Sequence, residues 1–237
     1  MKSNWIIGLS LAGNALAILV AMYGVQRMGG MRSVWLKLTK PEIISVQAQR
    51  KSVFDMLEID STNIVMLGNS LTAYGEWSEL LDNPKVLNRG IPGETIAGIK
   101  QRFPKILDQH PKQVFLMIGI NDLMYHDADR VINEYEHLLE SIMQEYPGAP
   151  ITLQEILPIT DAIQTVPTNN NDIQKVNKAL AALAEKYKLK LLPLYEFFAD
   201  DSNQLKAVYS HDGVHLTGQA YLVWKNELEK FINESPY

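Results

Sequence analysis

Five short apolar runs, each with a helical pattern before the next, constrain this chain more than any other feature. The runs are "NIVMLG", "KVLNRG", "QVFLMIG", "PITLQEILP" and "KLKLLPLY". They are rich in Val, Ile and Leu and do not alternate cleanly between apolar and polar residues, as expected of strands buried on both faces. Between and after them the spacing predicts helices over 77–82, 95–107, 129–146, 170–187 and 217–233. Strands alternating with helices build a parallel sheet covered by helices on both sides, so the expected fold class is α/β. Earlier, "PEIISVQAQRKSVFDML" also has helical spacing, with Pro41 suited to a first helical position. The longest irregular stretch, "LPITDAIQTVPTNNND", is expected to be a surface loop near any site.

In an open parallel sheet, ligands bind beyond the carboxyl ends of the strands. The residues just after each run therefore matter most. The first run is followed by Gly68-Asn69-Ser70, the second by "NRGIPGET", the third by "GIND", and the last helix is preceded by "SHDGVHLTG". A serine hydroxyl is a weak nucleophile unless a base takes its proton. Ser70 is the candidate nucleophile and His215 the candidate base. Asp212 lies three residues before His215, so one loop can place a carboxylate against one imidazole nitrogen while the other faces Ser70. Acyl transfer also needs donors where negative charge develops. The candidates are the backbone N–H groups of Ser70 and Gly93 and the side-chain amide of Asn121. Against these stand plainer readings: Ser70 as a helix cap, Gly93 as a turn residue, Asp122 as a residue that holds the loop presenting Asn121, Tyr74 and Trp77 as either a site wall or packing. His211, Asp212 and His215 do not read as a metal cluster, because Gly213 interrupts helical spacing and no further ligand set is evident.

The ordered blocks "GNSL", "NRGIPGET", "GIND" and "DGVH" resemble the SGNH hydrolases, also called the GDSL esterase/lipase superfamily, over about residues 60–235. The resemblance implies a three-layer α/β/α sandwich with a flavodoxin-like, parallel five-stranded sheet, and no metal or organic cofactor. It implies Ser70 as nucleophile, His215 as base, Asp212 as its orienter, and Ser70, Gly93 and Asn121 as the oxyanion hole. Asn69 stands where the family's usual block has aspartate. Gly93 is preferred to Gly90 because "ET" follows it. An α/β-hydrolase is disfavoured, since no Gly-x-Ser-x-Gly elbow occurs. The implied activity is a serine esterase cleaving a short acyl group, such as acetyl, from a carbohydrate or lipid. The alternatives are an envelope glycan O-acyltransferase on the same residues and a non-catalytic glycan-binding domain.

Composition removes other classes. The chain has no cysteine, which excludes thiol catalysis, disulfides and Cys-ligated zinc. Its net charge is -5 and no basic run stands out, so nucleic acid is not an expected partner. The segment "NWIIGLSLAGNALAILVAMYG" carries no charge and has the length of a membrane span. Residues 1–24 are expected to be a membrane anchor or signal segment, 25–58 a linker and helix, and 59–237 the hydrolase domain. The basic residues Arg27, Arg32, Lys37 and Lys40 after the segment would favour a cytoplasmic domain by charge. The expectation taken is nevertheless an anchored domain facing the periplasm or cell exterior.

Overall fold

The apolar runs become five parallel strands: β1 (Ile64–Gly68), β2 (Val86–Gly90), β3 (Gln113–Met117), β4 (Ile151–Gln154) and β5 (Lys190–Leu192). The structure is a computed structural model that describes residues 2–27, 46–160 and 168–233. Strand order is β2-β1-β3-β4-β5, the flavodoxin-like arrangement, with every pairing parallel. Gly68 pairs with both Gly90 and Met117, so β1, β2 and β3 end at one level. Their three following loops leave from one rim.

The helices are α1 (Lys2–Arg27), α2 (Val46–Met56), α3 (Ser70–Ala73), α4 (Trp77–Leu80), α5 (Ile96–Leu107), α6 (Ile120–Leu123), α7 (Ala128–Glu145), α8 (Asn170–Tyr187), α9 (Tyr195–Phe198) and α10 (Gly218–Asn233). The five predicted helices are present with ends shifted by at most two residues. Start signals explain several of those ends. Thr95, Asp127 and Asn169 cap α5, α7 and α8, each side chain accepting a first-turn N–H. The chain divides into two compact units, Met1–Ser45 and Val46–Tyr237, so α2 belongs to the unit that holds the sheet.

Alternate strand residues serve two cores. Val65, Leu67, Val114, Leu116 and Leu153 pack with Ile99 and Phe103 of α5, Leu138 of α7 and Leu180 of α8. Ile64, Met66, Phe115 and Met117 pack with Trp77 and with Trp224 and Leu228 of α10. Helices thus cover both faces, and the runs lack polar alternation because neither face meets water.

Two expectations change. Of "LPITDAIQTVPTNNND", residues 161–167 lie outside the described residues, but its first three residues are not on the surface. Leu157 and Ile159 are buried, and the Asn170 amide clasps both the N–H and the carbonyl of Ile159 at 2.9 and 2.8 Å. The membrane placement is also corrected. Among the described residues no helix is long and apolar enough to cross a membrane. The anchored, outward-facing localisation has no support from this structure. Most of the expected linker, residues 28–45, lies outside the described residues.

Candidate active site

Ser70 opens α3, directly beyond β1. The cap of that short helix is Asn69, whose side-chain oxygen accepts the Leu71 N–H at 2.9 Å. Ser70 is therefore released from the capping role that a serine after a strand often fills. Its Oγ lies 3.1 Å from Nε2 of His215. The bond from the Leu71 N–H shows what Asn69 does in place of aspartate: the cap needs only an acceptor, and an amide oxygen supplies one without charge.

His215 and Asp212 share the loop before α10. Nδ1 of His215 is 2.6 Å from Oδ2 of Asp212. The other carboxylate oxygen accepts the backbone N–H groups of Val214 and His215 at 3.0 and 2.7 Å. Partial burial raises the Asp212 pKa, but the hydrogen bonds from the His215 ring and the two backbone N–H groups outweigh it and hold the carboxyl well below its usual range. It stays a carboxylate throughout the neutral range. The loop is closed by a bridge between Ser210 and Leu216, and Ser210 Oγ accepts the Gly213 N–H at 2.9 Å. The Thr160 N–H donates to the Gly213 carbonyl at 2.9 Å, pinning the loop to the chain beyond β4. Tyr221 on α10 donates to the Leu71 carbonyl at 2.7 Å, tying the helix after His215 to the helix that begins with Ser70. The separation of 145 positions between Ser70 and His215 is bridged by these contacts.

The oxyanion candidates come from the neighbouring rims. Gly93 has φ of +75°, a backbone state that favours glycine. Asn121, in α6, donates through Nδ2 to the Glu94 carbonyl at 2.8 Å. Its amide carries a second hydrogen for a ligand. This bond ties the loop after β3 to the loop after β2, next to Gly93. Asp122 is structural here. Its carboxylate accepts the Ile96 N–H at 3.0 Å, at the start of α5. Burial pushes the Asp122 pKa up to about 6, against the lowering effect of that backbone hydrogen bond.

Several contributors escaped the sequence reading. Glu94 forms a buried ion pair with Arg102 at 2.8 Å. Gly98 makes room for it: a Cβ there would stand 1.8 Å from Glu94 Oε1. The spacing from Glu94 to Arg102 spans two helical turns, which was the available signal. Trp77 is core, not a site wall; it is 1% exposed and its Nε1 donates to the Thr72 carbonyl at 2.8 Å. Tyr74 is the aromatic at the site, half exposed with its ring centroid 5.4 Å from that of His215.

A serine, an imidazole and a carboxylate in line at a strand end form the apparatus of acyl transfer. Residues 66–223, more than half of the chain, match the GDSL-like lipase/acylhydrolase family. The chain belongs to that family. The N-acylneuraminate cytidylyltransferase of Streptococcus agalactiae is 26% identical over 171 residues, which are 72% of this chain and 38% of that protein. This chain thus spans about two fifths of the length of the curated relatives it matches. Among solved structures, a Streptococcus pneumonia protein provisionally described as a platelet activating factor is 26% identical with a TM-score of 0.71, over 84% of this chain and 99% of that one. A GDSL-like lipase from Bacteroides thetaiotaomicron shares the fold, with a TM-score of 0.67 at 20% identity over 78% of this chain and 96% of that one.

Proposed function

We propose that the chain hydrolyses a short-chain carboxylic ester of a carbohydrate through a Ser70 acyl-enzyme. The observation that carries this reading is the continuous line from Ser70 Oγ to His215 Nε2 and from His215 Nδ1 to Asp212, at 3.1 and 2.6 Å. Ser70 Oγ attacks the ester carbonyl as His215 Nε2 takes its proton. Asp212 accepts the Nδ1–H and stabilises the imidazolium. The negative oxygen of the tetrahedral intermediate accepts from the N–H groups of Ser70 and Gly93 and from the Asn121 amide. The C–O bond to the alcohol breaks, and His215 returns the proton to the departing oxygen. Water then gives a proton to His215 and attacks the acyl carbon. Collapse of the second intermediate releases the acid, and the proton returns to Ser70.

Two observations favour a sugar as the alcohol. Tyr74 offers an exposed aromatic face beside His215, against which a ring can lie. A curated relative is named for N-acylneuraminate, a sugar derivative. The test is Ser70→Ala assayed on p-nitrophenyl acetate, with a fluorophosphonate label read by mass spectrometry on the wild type. Loss of turnover to background and a single adduct at Ser70 are expected. Retained turnover in Ser70→Ala would overturn the assignment. An acyl-length series of nitrophenyl esters beside acetylated sugars then defines the acyl group.

A further inference from the structure

One face of α2 lies along the loop that carries Gly93. Gln47, Arg50 and Phe54 share that face at helical spacing. Each meets the chain after β2 in turn. The Phe54 ring lies 5.1 Å from the Arg89 guanidinium carbon, Arg50 Nε donates to the Gly90 carbonyl at 3.1 Å, and Gln47 Nε2 stands 2.8 Å from where a Gly93 Cβ would be. Phe54 is flanked on its other side by Arg50, 4.8 Å from the ring centre. Two guanidinium groups therefore share one aromatic ring beside the proposed oxyanion hole.

Their charge is the anomaly. The chain has more acidic than basic residues, 27 against 22. Arg102, close by, is neutralised by Glu94. Among the described residues neither Arg50 nor Arg89 is ion-paired with a carboxylate. Arg89 is 5% exposed and spends Nη1 on the Asn88 carbonyl. Burial, and then the charge of Arg50, pull its pKa below the ordinary value. Arg50 is only half buried and spends Nε alone, so its two Nη groups remain for a ligand. Neighbouring turns of a helix bring side chains within about 5–6 Å, so Arg50 stands roughly one turn from Gln47, whose amide reaches Gly93.

We propose that the Gln47–Arg50 face of α2 is a wall of the substrate site, and that the ester cleaved carries an anionic oxyacid group, carboxylate or phosphate, bound by Arg50. The group sits about one helical turn from the scissile carbonyl. It supplies the counter-charge that the protein leaves out, and a guanidinium fork suits either oxyacid. This inference rests on the Ser70 reading for the position of the ester.

The experiment uses the full chain and three matched substrates: O-acetylglucose, O-acetylglucuronate and O-acetylglucose 6-phosphate. Charge-assisted hydrogen bonds to a guanidinium are worth roughly a 10- to 100-fold preference in kcat/KM for an anionic ester over the neutral one. That preference should fall with added salt. Arg50→Gln should bring the anionic-to-neutral ratio close to one, and Arg50→Lys should keep part of it. Whichever anionic ester is preferred identifies the oxyacid. The deacetylated sugars are titrated calorimetrically on the same proteins, so the contribution of Arg50 is measured even if Ser70 is inert. A wild-type ratio near one in both kinetics and binding overturns the proposal. So does a preference that survives Arg50→Gln. In that case Arg50 serves only to clamp α2 onto β2. Failure of fluorophosphonate to label Ser70 refutes the acyl-enzyme instead, and binding that still prefers the anionic sugars upholds Arg50.

Discussion

Gly98→Ala tests whether the buried Glu94–Arg102 pair holds the loop beside the site. The new Cβ would stand 1.8 Å from Glu94 Oε1 and 2.8 Å from Glu94 Cδ, well inside contact distance. The carboxylate must swing away. It cannot do so freely, because its side chain is 10% exposed and its partner Arg102 is 9% exposed. Depriving one member of a buried pair of its partner costs about 3–5 kcal/mol. The substitution itself returns about 1 kcal/mol, since alanine is the better helix former. The expected net loss is ~2–4 kcal/mol, a large share of a typical domain stability. Urea unfolding should show a lower midpoint with unchanged slope. The decisive control is the same change in a background with Glu94→Ala and Arg102→Leu. Removing both ions together is often close to neutral, and there Gly98→Ala should stabilise by about 1 kcal/mol. Equal destabilisation in both backgrounds would refute the argument, as would no destabilisation in the first.

Asn121→Ala should lower kcat on p-nitrophenyl acetate by roughly 100- to 1,000-fold, with little change in KM, if its free amide hydrogen meets the oxyanion. A fall in stability without a kcat effect would assign the residue to its bond with Glu94 alone. Asp122 should make stability depend on acid in an unusual direction. Its folded pKa, about 6, lies above the ordinary aspartate value of 3.8, so the folded state holds the proton more tightly. The stabilisation is complete below about pH 4 and is lost as pH rises through 6, about 3 kcal/mol in all. Asp122→Asn should flatten the unfolding free energy between pH 4 and 7 relative to wild type; parallel profiles would count against the buried carboxyl as its source.

The chain's own pattern determined the layers and the helix positions, because hydrophobic periodicity and capping residues act locally. Thr95, Asp127 and Asn169 mark helix starts with no help from the rest of the molecule. The motif blocks also named the residues that the structure brings together: Ser70, Asp212 and His215 in one line, with Gly93 and Asn121 linked through Glu94. Local pattern could not say which polar residue caps α3. Asn69 rather than Ser70 does so, a matter of backbone geometry at the end of β1. Nor could it separate Trp77 from Tyr74, since both fit a helix face and only the packing of α10 buries one of them. The level ending of Gly68, Gly90 and Met117 is a property of strand register, and register is set by pairing across the sheet. The approach of Arg50 and Gln47 to the Gly93 loop depends on where α2 docks, about 40 residues from the chain it touches. Contacts over that distance arise from tertiary packing, which no local periodicity encodes.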